Sequence, residues 1–146
     1  MSALRVGIAG LGSVGANVFQ LLKDNAGLIS ARAGRQLVVT AVSARDKSKK
    51  RGLDMAAVAW HDNPVAMADD PNVDVVVELM GGATGAAHDL VMKALQNGKA
   101  VVTANKALLS AQAAEIQKAL AAGKGSIAYE AAVAGGIPAI KGLREG

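Results

Sequence analysis

A glycine-rich turn near the start of the chain constrains its fold more than any other feature. The segment Gly10–Gly15 reads GLGSVG, which is a G-x-G-x-x-G pattern. The apolar segment Leu4–Ala9 precedes it and predicts a buried strand, while apolar residues at helical spacing predict a helix from Ser13 to Asn25. A strand that enters a helix through such glycines is typical of a dinucleotide-binding fold.

The three glycines have different predicted roles. Gly10 permits a tight turn, Gly12 lets a pyrophosphate approach the backbone, and Gly15 allows the helix to pack closely on the strand. The N–H groups of the first helical turn and the helix dipole attract the phosphate charge. The alternative is a turn without a ligand. Each glycine weakens a helix start by about 0.5–1 kcal/mol relative to alanine, so three glycines at this spacing favour a turn that binds a ligand. We predict that the whole turn binds the cofactor: Gly10, Leu11, Gly12, Ser13, Val14 and Gly15.

Strands and helices alternate along the rest of the 146 residues. Further strands are predicted at Gln36–Ser43, Val73–Leu79, Ala100–Thr103 and Ser126–Glu130. Helices are predicted around His88–Leu95 and Ala113–Leu120, in short segments at Leu53–Trp60 and Pro64–Asp70, and from Pro138 onward. An irregular connection is expected at Leu28–Arg35. The alternation predicts an α/β fold of the Rossmann type, with a doubly wound, mostly parallel sheet and helices on both faces.

The end of the second predicted strand bears on which cofactor binds. In this kind of fold, an acidic residue there bonds the ribose 2′-OH of NAD, whereas a nearby arginine accommodates the 2′-phosphate of NADP. Here the strand ends on small residues and Arg45 follows, with four more cations before residue 52. We therefore predict NADP, with Arg45 over the adenine ribose. Asp46 keeps NAD open as an alternative, and a solvated charged loop is another.

Composition argues against several other classes of protein. The chain has no cysteine and two histidines, so disulfides, thiolate metal sites and a histidine-based transition-metal site are not expected. One Trp, one Tyr and one Phe give no stacking platform for single-stranded nucleic acid, and the net charge of +4 is mild. No apolar run approaches the roughly 20 residues of a membrane span. We expect a cytoplasmic protein that binds neither nucleic acid nor membrane.

Three later segments narrow the prediction from a fold to a family. They read VVELMGG over Val76–Gly82, VVTANK over Val101–Lys106, and YEAAVAGGIP over Tyr129–Pro138. Together with the glycine turn, and in this order and spacing, they resemble homoserine dehydrogenase across nearly the whole chain. The T-A-N-K and E-A-x-V-x-G-G-I-P patterns are specific to that family and its close relatives.

The resemblance implies an NAD(P)-dependent oxidoreductase that interconverts L-homoserine and L-aspartate 4-semialdehyde, on the route to threonine and methionine. It also implies that Gly81 and Gly82 pass close to the nicotinamide ribose, and that Lys106 lies between the nicotinamide and this small-molecule substrate. An ammonium group there would stabilise the alkoxide that hydride addition leaves and could relay a proton. Lys106 is thus predicted to contact the cofactor and to be catalytic. The alternative, a solvent-facing cation at a helix start, is weak because it opposes the helix dipole.

The resemblance further implies a bound monovalent cation, usually sodium, held largely by backbone carbonyl groups. The corresponding ligands would be Glu130, Val133, Gly135 and Ile137. Any residue type can supply a carbonyl oxygen, so residue identity alone does not indicate the ion. A glycine-rich hinge ahead of Pro138 is therefore an alternative of about equal weight.

The family's second catalytic lysine and its substrate-binding acidic residues correspond to positions beyond Gly146. We therefore expect one NAD(P)-binding domain over residues 1–146, in which residues 131–146 begin the link to a missing substrate domain. That second domain also forms the family's dimer, so a homodimer or larger oligomer is expected of the longer enzyme. The chain alone should bind cofactor and do little chemistry.

Two other interpretations stay open. A related Rossmann-type dehydrogenase would share the glycine turn, but it is hard to reconcile with the T-A-N-K and E-A-x-V-x-G-G-I-P patterns. A non-catalytic module that senses NAD(P) would fit the short chain. In such a sensor, however, Lys106 and the glycine-rich C-terminal segment would have no function.

Overall fold

Within residues 2–133, 135, 137 and 142–143, which a computed structural model describes, six strands form one sheet. They are β1 Leu4–Ala9, β2 Leu37–Ser43, β3 Ala59–Trp60, β4 Val75–Glu78, β5 Ala100–Thr103 and β6 Ser126–Ala128. Their order across the sheet is β3-β2-β1-β4-β5-β6, and every neighbouring pair is parallel. This is the strand order of a Rossmann fold and confirms the predicted class. The helix predicted at Pro138 lies outside the described residues.

Parallel strands cannot be joined by tight hairpins, and helical segments connect them here except between β2 and β3, which a loop joins. The α-helices are α1 Ser13–Asp24, α2 Ala26–Ala33, α3 Ala86–Gln96, α4 Lys106–Ala111 and α5 Ala113–Ala122. Two 3-10 segments, Pro64–Ala68 and Glu130–Ala132, complete the described elements. In this part of the chain, no helix combines the length and the apolar character that crossing a membrane requires.

Apolar side chains cover both faces of the sheet because successive strand residues point to opposite sides. Val6 and Ile8 of β1 belong to one buried cluster, together with Phe19 of α1. Ala9, also of β1, belongs to a second cluster that includes Leu90 of α3. Fully burying a side chain such as Ile8 contributes about 1.5–3 kcal/mol relative to leaving it exposed. The two clusters confirm that helices pack on both faces of the sheet.

The connection at Leu28–Arg35, expected to be irregular, lies largely in helix α2. Asn25 ends α1, because its backbone N–H and its side-chain amide both donate to the Leu21 carbonyl, at 3.0 and 3.1 Å. The chain then begins a second helix that includes Gly27 and ends at Gly34, whose φ of 68° is left-handed. The expectation was wrong because the chain stays helical through Gly27 and leaves the helix only at Gly34.

The short helix expected at Leu53–Trp60 is also wrong. The last two residues of this segment are strand β3, which pairs with Ala41 and Val42 of β2. The next N–H, that of His61, donates to the Val42 carbonyl at 2.9 Å. Pairing at the edge of the sheet satisfies backbone groups that a helix would have paired internally.

Candidate functional site

The predicted cofactor and catalytic residues all follow the carboxyl ends of strands. The glycine turn follows β1, Arg45 follows β2, Gly81 and Gly82 follow β4, and Lys106 follows β5. Because the strands are parallel, these ends meet at one edge of the sheet. The order of the strands reverses at β1, which lies between β2 and β4. Ligands of open α/β sheets bind at such a switch point.

Close contacts give two glycines of the turn a steric role. A Cβ on Gly15 would stand 1.8 Å from the Gly10 carbonyl oxygen, and one on Gly10 would stand 2.7 Å from the Leu79 carbonyl oxygen. Gly10 also has a φ of 99°, which other residues rarely adopt. Around Gly12, by contrast, no atom lies within 4 Å of the position that a Cβ would take. The backbone of Gly12 is therefore open to a ligand.

The N-terminus of α1 has the features of an anion site. Gly12 is its N-cap and provides no side chain to bond the free N–H groups, and the first turn contains no acidic residue. Such N–H groups point away from the helix and are available to a ligand. A pyrophosphate thus fits the turn, since the Gly12 backbone is open and the helix dipole favours negative charge.

Backbone hydrogen bonds hold the turn between its two neighbouring strands. The Gly10 N–H donates to the Ser43 carbonyl of β2 at 2.8 Å. On the other side, the Leu79 N–H donates to the Ala9 carbonyl at 2.8 Å. The position of the glycine turn is therefore fixed relative to the residues that follow β4.

Glu78, the last residue of β4, is completely buried and holds the loop that follows it. Its Oε1 accepts hydrogen bonds from the Met80 N–H at 2.7 Å and the Gly81 N–H at 3.2 Å. Its Oε2 accepts one from the Thr103 hydroxyl at 2.7 Å. A buried carboxylate without partners would be strongly unfavourable, and these three donors compensate for its burial. Glu78 therefore joins the Gly81 loop to β5.

Asn105 connects the same loop to the start of α4. Its side-chain amide donates to the Gly82 carbonyl at 2.7 Å, and its Oδ1 accepts the Leu108 N–H at 3.1 Å and so caps the helix. Lys106 is the first residue of α4, and its side chain is exposed. Among the described residues, no carboxylate lies within ion-pair distance of its ammonium group. The structure thus brings Gly82 and Lys106 close together through Asn105.

The loop after β2 carries Arg45, which is exposed to solvent. The Asp46 carboxylate is engaged inside this loop, where it accepts hydrogen bonds from the Ser48 hydroxyl at 2.7 Å and the Ser48 N–H at 2.9 Å. Those bonds lower the pKa of Asp46. At the end of the loop, the Arg51 Nε donates to the Leu11 carbonyl at 3.1 Å, so the loop contacts the glycine turn directly.

The predicted ligands of the monovalent cation follow β6, at the same edge of the sheet. Glu130 begins the second 3-10 segment, and its carbonyl accepts a hydrogen bond from the Val133 N–H at 3.2 Å. Glu130, Val133, Gly135 and Ile137 are all exposed. The assignment of a cation to their carbonyl groups stays a prediction.

Three residues of this edge had no predicted role: Glu78, Asn105 and Arg51. An acidic residue at the end of an apolar strand and before two glycines was the available signal for Glu78. For Asn105, the signal was a residue type that favours the N-cap, placed just before a predicted helix. Residue type separates Arg51 from the lysines beside it but not from Arg45, the other arginine of the same loop.

Comparison with known proteins assigns this arrangement to a family. The family described as homoserine dehydrogenase, NAD binding domain, matches residues 10–130. The homoserine dehydrogenase of Pseudomonas aeruginosa is 50% identical over 147 residues, which cover 100% of this chain and 33% of that protein. The homoserine dehydrogenase of Neisseria gonorrhoeae is 44% identical over 146 residues, with the same coverage of 100% and 33%.

A solved structure agrees with these relatives. The crystal structure of a homoserine dehydrogenase from Thiobacillus denitrificans has a TM-score of 0.89 and 45% identity, and the match covers 99% of this chain and 33% of that one. The chain spans about a third of the length of the curated relatives it matches. The resemblance drawn from the sequence motifs is confirmed. The chain therefore belongs to the homoserine dehydrogenase family, in which it corresponds to the NAD-binding domain.

Proposed function

We propose that this chain is the cofactor-binding part of an enzyme that interconverts L-homoserine and L-aspartate 4-semialdehyde with a nicotinamide dinucleotide. The observation that carries the proposal is that the glycine turn, the Gly81–Gly82 loop and Lys106 lie at one edge of the sheet. The hydrogen bond from Asn105 to the Gly82 carbonyl joins the loop to the residue before Lys106. We take homoserine as the substrate from the names of the relatives. The remaining two-thirds of such an enzyme would bind it and form a homodimer.

NADP is the proposed cofactor, with NAD as the alternative. The open backbone at Gly12 and the uncapped N-terminus of α1 would hold the pyrophosphate of either one. Support for NADP comes from Arg45, an exposed cation just past β2, which would meet the 2′-phosphate. Asp46, the candidate partner for a ribose hydroxyl of NAD, already accepts two hydrogen bonds from Ser48.

Lys106 is the proposed catalytic residue of this domain. When bound, the nicotinamide supplies or accepts the hydride. The Lys106 ammonium would stabilise the negative charge that develops on the substrate oxygen and would hold the proton that this oxygen needs. Asn105 caps α4 and so fixes the backbone from which Lys106 extends. The chain's own contribution is therefore a positioned charge rather than a nucleophile.

A monovalent cation, sodium in the first instance, is proposed at the carbonyl groups of Glu130, Val133, Gly135 and Ile137. These residues follow β6, and their exposure leaves their backbone accessible to an ion. A carbonyl oxygen has two lone pairs, so the Glu130 oxygen can bind an ion while it accepts the Val133 N–H.

Two measurements test the proposal. Calorimetry on the 146-residue chain should detect binding of NADPH or NADH, and the product of the complete gene should oxidise homoserine with a turnover in the usual range of roughly 1–1,000 per second. The chain by itself should show negligible turnover, because the substrate groups lie elsewhere. A chain that binds neither nucleotide, or a complete protein that does not act on homoserine, would refute the proposal.

A further inference from the structure

The Arg51 guanidinium is built into the loop between β2 and β3. Its Nη2 donates to the Asp46 carbonyl at 2.8 Å, and its Nη1 donates to the Lys49 carbonyl at 2.9 Å. Its Nε donates to the Leu11 carbonyl at 3.1 Å, inside the glycine turn. One planar group thus joins two points of the loop to the proposed pyrophosphate site. A guanidinium can do this because its donors form a rigid fork.

Trp60 supports the same guanidinium from another direction. The Arg51 guanidinium carbon lies 5.8 Å from the centroid of the Trp60 ring. The ring is itself held in place, since its N–H donates to the Asp62 carboxylate at 2.9 Å. A cation within about 6 Å of a Trp ring centroid is attracted by the ring face, and the Lys47 ammonium also lies there, 5.9 Å from the same centroid. Arg51 is consequently half-buried.

Arg51 is the half-buried cation of the loop. The other four cations are exposed: Arg45, Lys47, Lys49 and Lys50. All three nitrogens of Arg51 donate to main-chain carbonyl groups. Within the loop, the Asp46 carboxylate adds a second fixed point through Ser48. Arg51 is therefore engaged as a structural cation, whereas the exposed Arg45 side chain makes no hydrogen bond or ion pair within the described part of the chain.

We propose that Arg51 is a positioning residue for nucleotide specificity: by bonding to Leu11, Asp46 and Lys49, it fixes the loop that carries Arg45 relative to the glycine turn. The ligand chemistry it serves is a phosphate monoester on the adenine ribose. The inference rests on the proposed function, because the loop selects a nucleotide only if the turn binds one. Arg51 acts through the loop and does not itself contact the phosphate.

The test compares NADP+ and NAD+, which differ only in that phosphate. Arg51→Lys keeps the charge but cannot reproduce three bonds from a planar fork. Calorimetry on the whole chain should show a loss of about tenfold in NADP+ affinity and of less than about threefold in NAD+ affinity. Lys50→Arg, the reverse exchange at an exposed position of the same loop, should leave both affinities within about twofold.

Trp60, the only tryptophan of the chain, gives a readout that needs no nucleotide. Its fluorescence should shift to longer wavelength in Arg51→Lys, because the ring loses the nearby guanidinium and keeps only the Lys47 ammonium beside it. It should stay unchanged in Lys50→Arg. If the wild-type chain binds neither nucleotide, the proposed function fails and this inference with it. If the wild type prefers NADP+ and Arg51→Lys keeps that preference within about twofold, only the role of Arg51 is refuted. Equal wild-type affinities for NADP+ and NAD+ would also overturn it.

Discussion

The Thr103 hydroxyl donates a 2.7 Å hydrogen bond to the buried Glu78 carboxylate and so joins the carboxyl ends of β5 and β4. The Thr103 oxygen also accepts the Asn105 N–H at 3.0 Å, and the Asn105 side chain donates to the Gly82 carbonyl at 2.7 Å. A continuous set of polar contacts therefore runs from β4 to the helix that begins at Lys106. Substitutions at Glu78 and Asn105 can therefore test different parts of this set.

Glu78→Ala should destabilise the chain by about 3 kcal/mol, because it leaves the buried Thr103 hydroxyl and two partly buried N–H groups without their acceptor. Glu78→Gln should cost less, since one amide oxygen can still accept the Met80 and Gly81 N–H groups. Urea unfolding measures both. Asp24→Ala removes an exposed carboxylate and serves as the control, with an expected change within about 0.5 kcal/mol. A Glu78→Ala loss no larger than the control's would contradict the network.

Asn105→Ser and Asn105→Ala separate the two functions of this side chain. Serine can still cap α4 by accepting the Leu108 N–H, but it is too short to reach the Gly82 carbonyl. We expect serine to be more stable than alanine by about 1 kcal/mol, the usual value of an N-cap. Hydrogen exchange of the Leu108 amide should be as slow as in the wild type in the serine variant and faster in the alanine variant. The backbone NMR signals of Gly82 should shift in both variants. Wild-type signals for Gly82 in either variant would exclude the link.

Arg45→Ala should weaken NADPH binding by about 1.5–3 kcal/mol, which is the contribution of a charge-assisted hydrogen bond. NADH lacks the 2′-phosphate and should lose much less. Calorimetric titration of the chain with both nucleotides measures the difference. Lys118→Ala removes an exposed cation from α5 and controls for the change in net charge. Equal losses for NADPH and NADH would show that Arg45 does not select the phosphate.

Lys106→Ala in the complete enzyme should lower turnover by about 100- to 10,000-fold, the usual contribution of general acid–base catalysis. Cofactor affinity should change less, because the glycine turn binds the pyrophosphate without this side chain. Lys106→Arg should restore little, since a guanidinium keeps the charge but does not release a proton readily. Steady-state kinetics with cofactor titration distinguishes these effects. Turnover within about threefold of wild type would make Lys106 an ordinary residue of the helix start.

Asp74 should make stability depend on pH under acidic conditions. Hydrogen bonds from the Arg5 guanidinium, at 2.6 and 2.9 Å, lower the pKa of Asp74 from 3.8 to about 2. Because the unfolded chain takes up this proton at higher pH, the contribution of Asp74 is complete above pH 3.8 and is lost as pH falls through about 2. Asp74→Asn should cost about 1 kcal/mol at neutral pH, since both side chains are partly exposed. Urea unfolding should show this difference vanish near pH 2; a constant difference would contradict the assignment.

The sequence by itself determined the fold class, the glycine turn and the family. These features depend on local rules, because residue periodicity sets helix and strand, and glycine permits the backbone conformation that the turn requires. Local rules did not suffice for the segment that ends at Trp60. The segment ahead of Trp60 could form a helix, and only an available edge on β2 made its end a strand.

The tertiary structure decided which polar residues act together. Glu78 and Thr103 are 25 residues apart in the chain, and the parallel register of β4 and β5 sets them side by side. Arg51 and Leu11 are 40 residues apart, and residue type alone does not separate Arg51 from Arg45, the exposed arginine of the same loop. A hydrogen bond forms only where donor and acceptor meet within about 3 Å, and for distant residues the packing of strands and loops sets that distance.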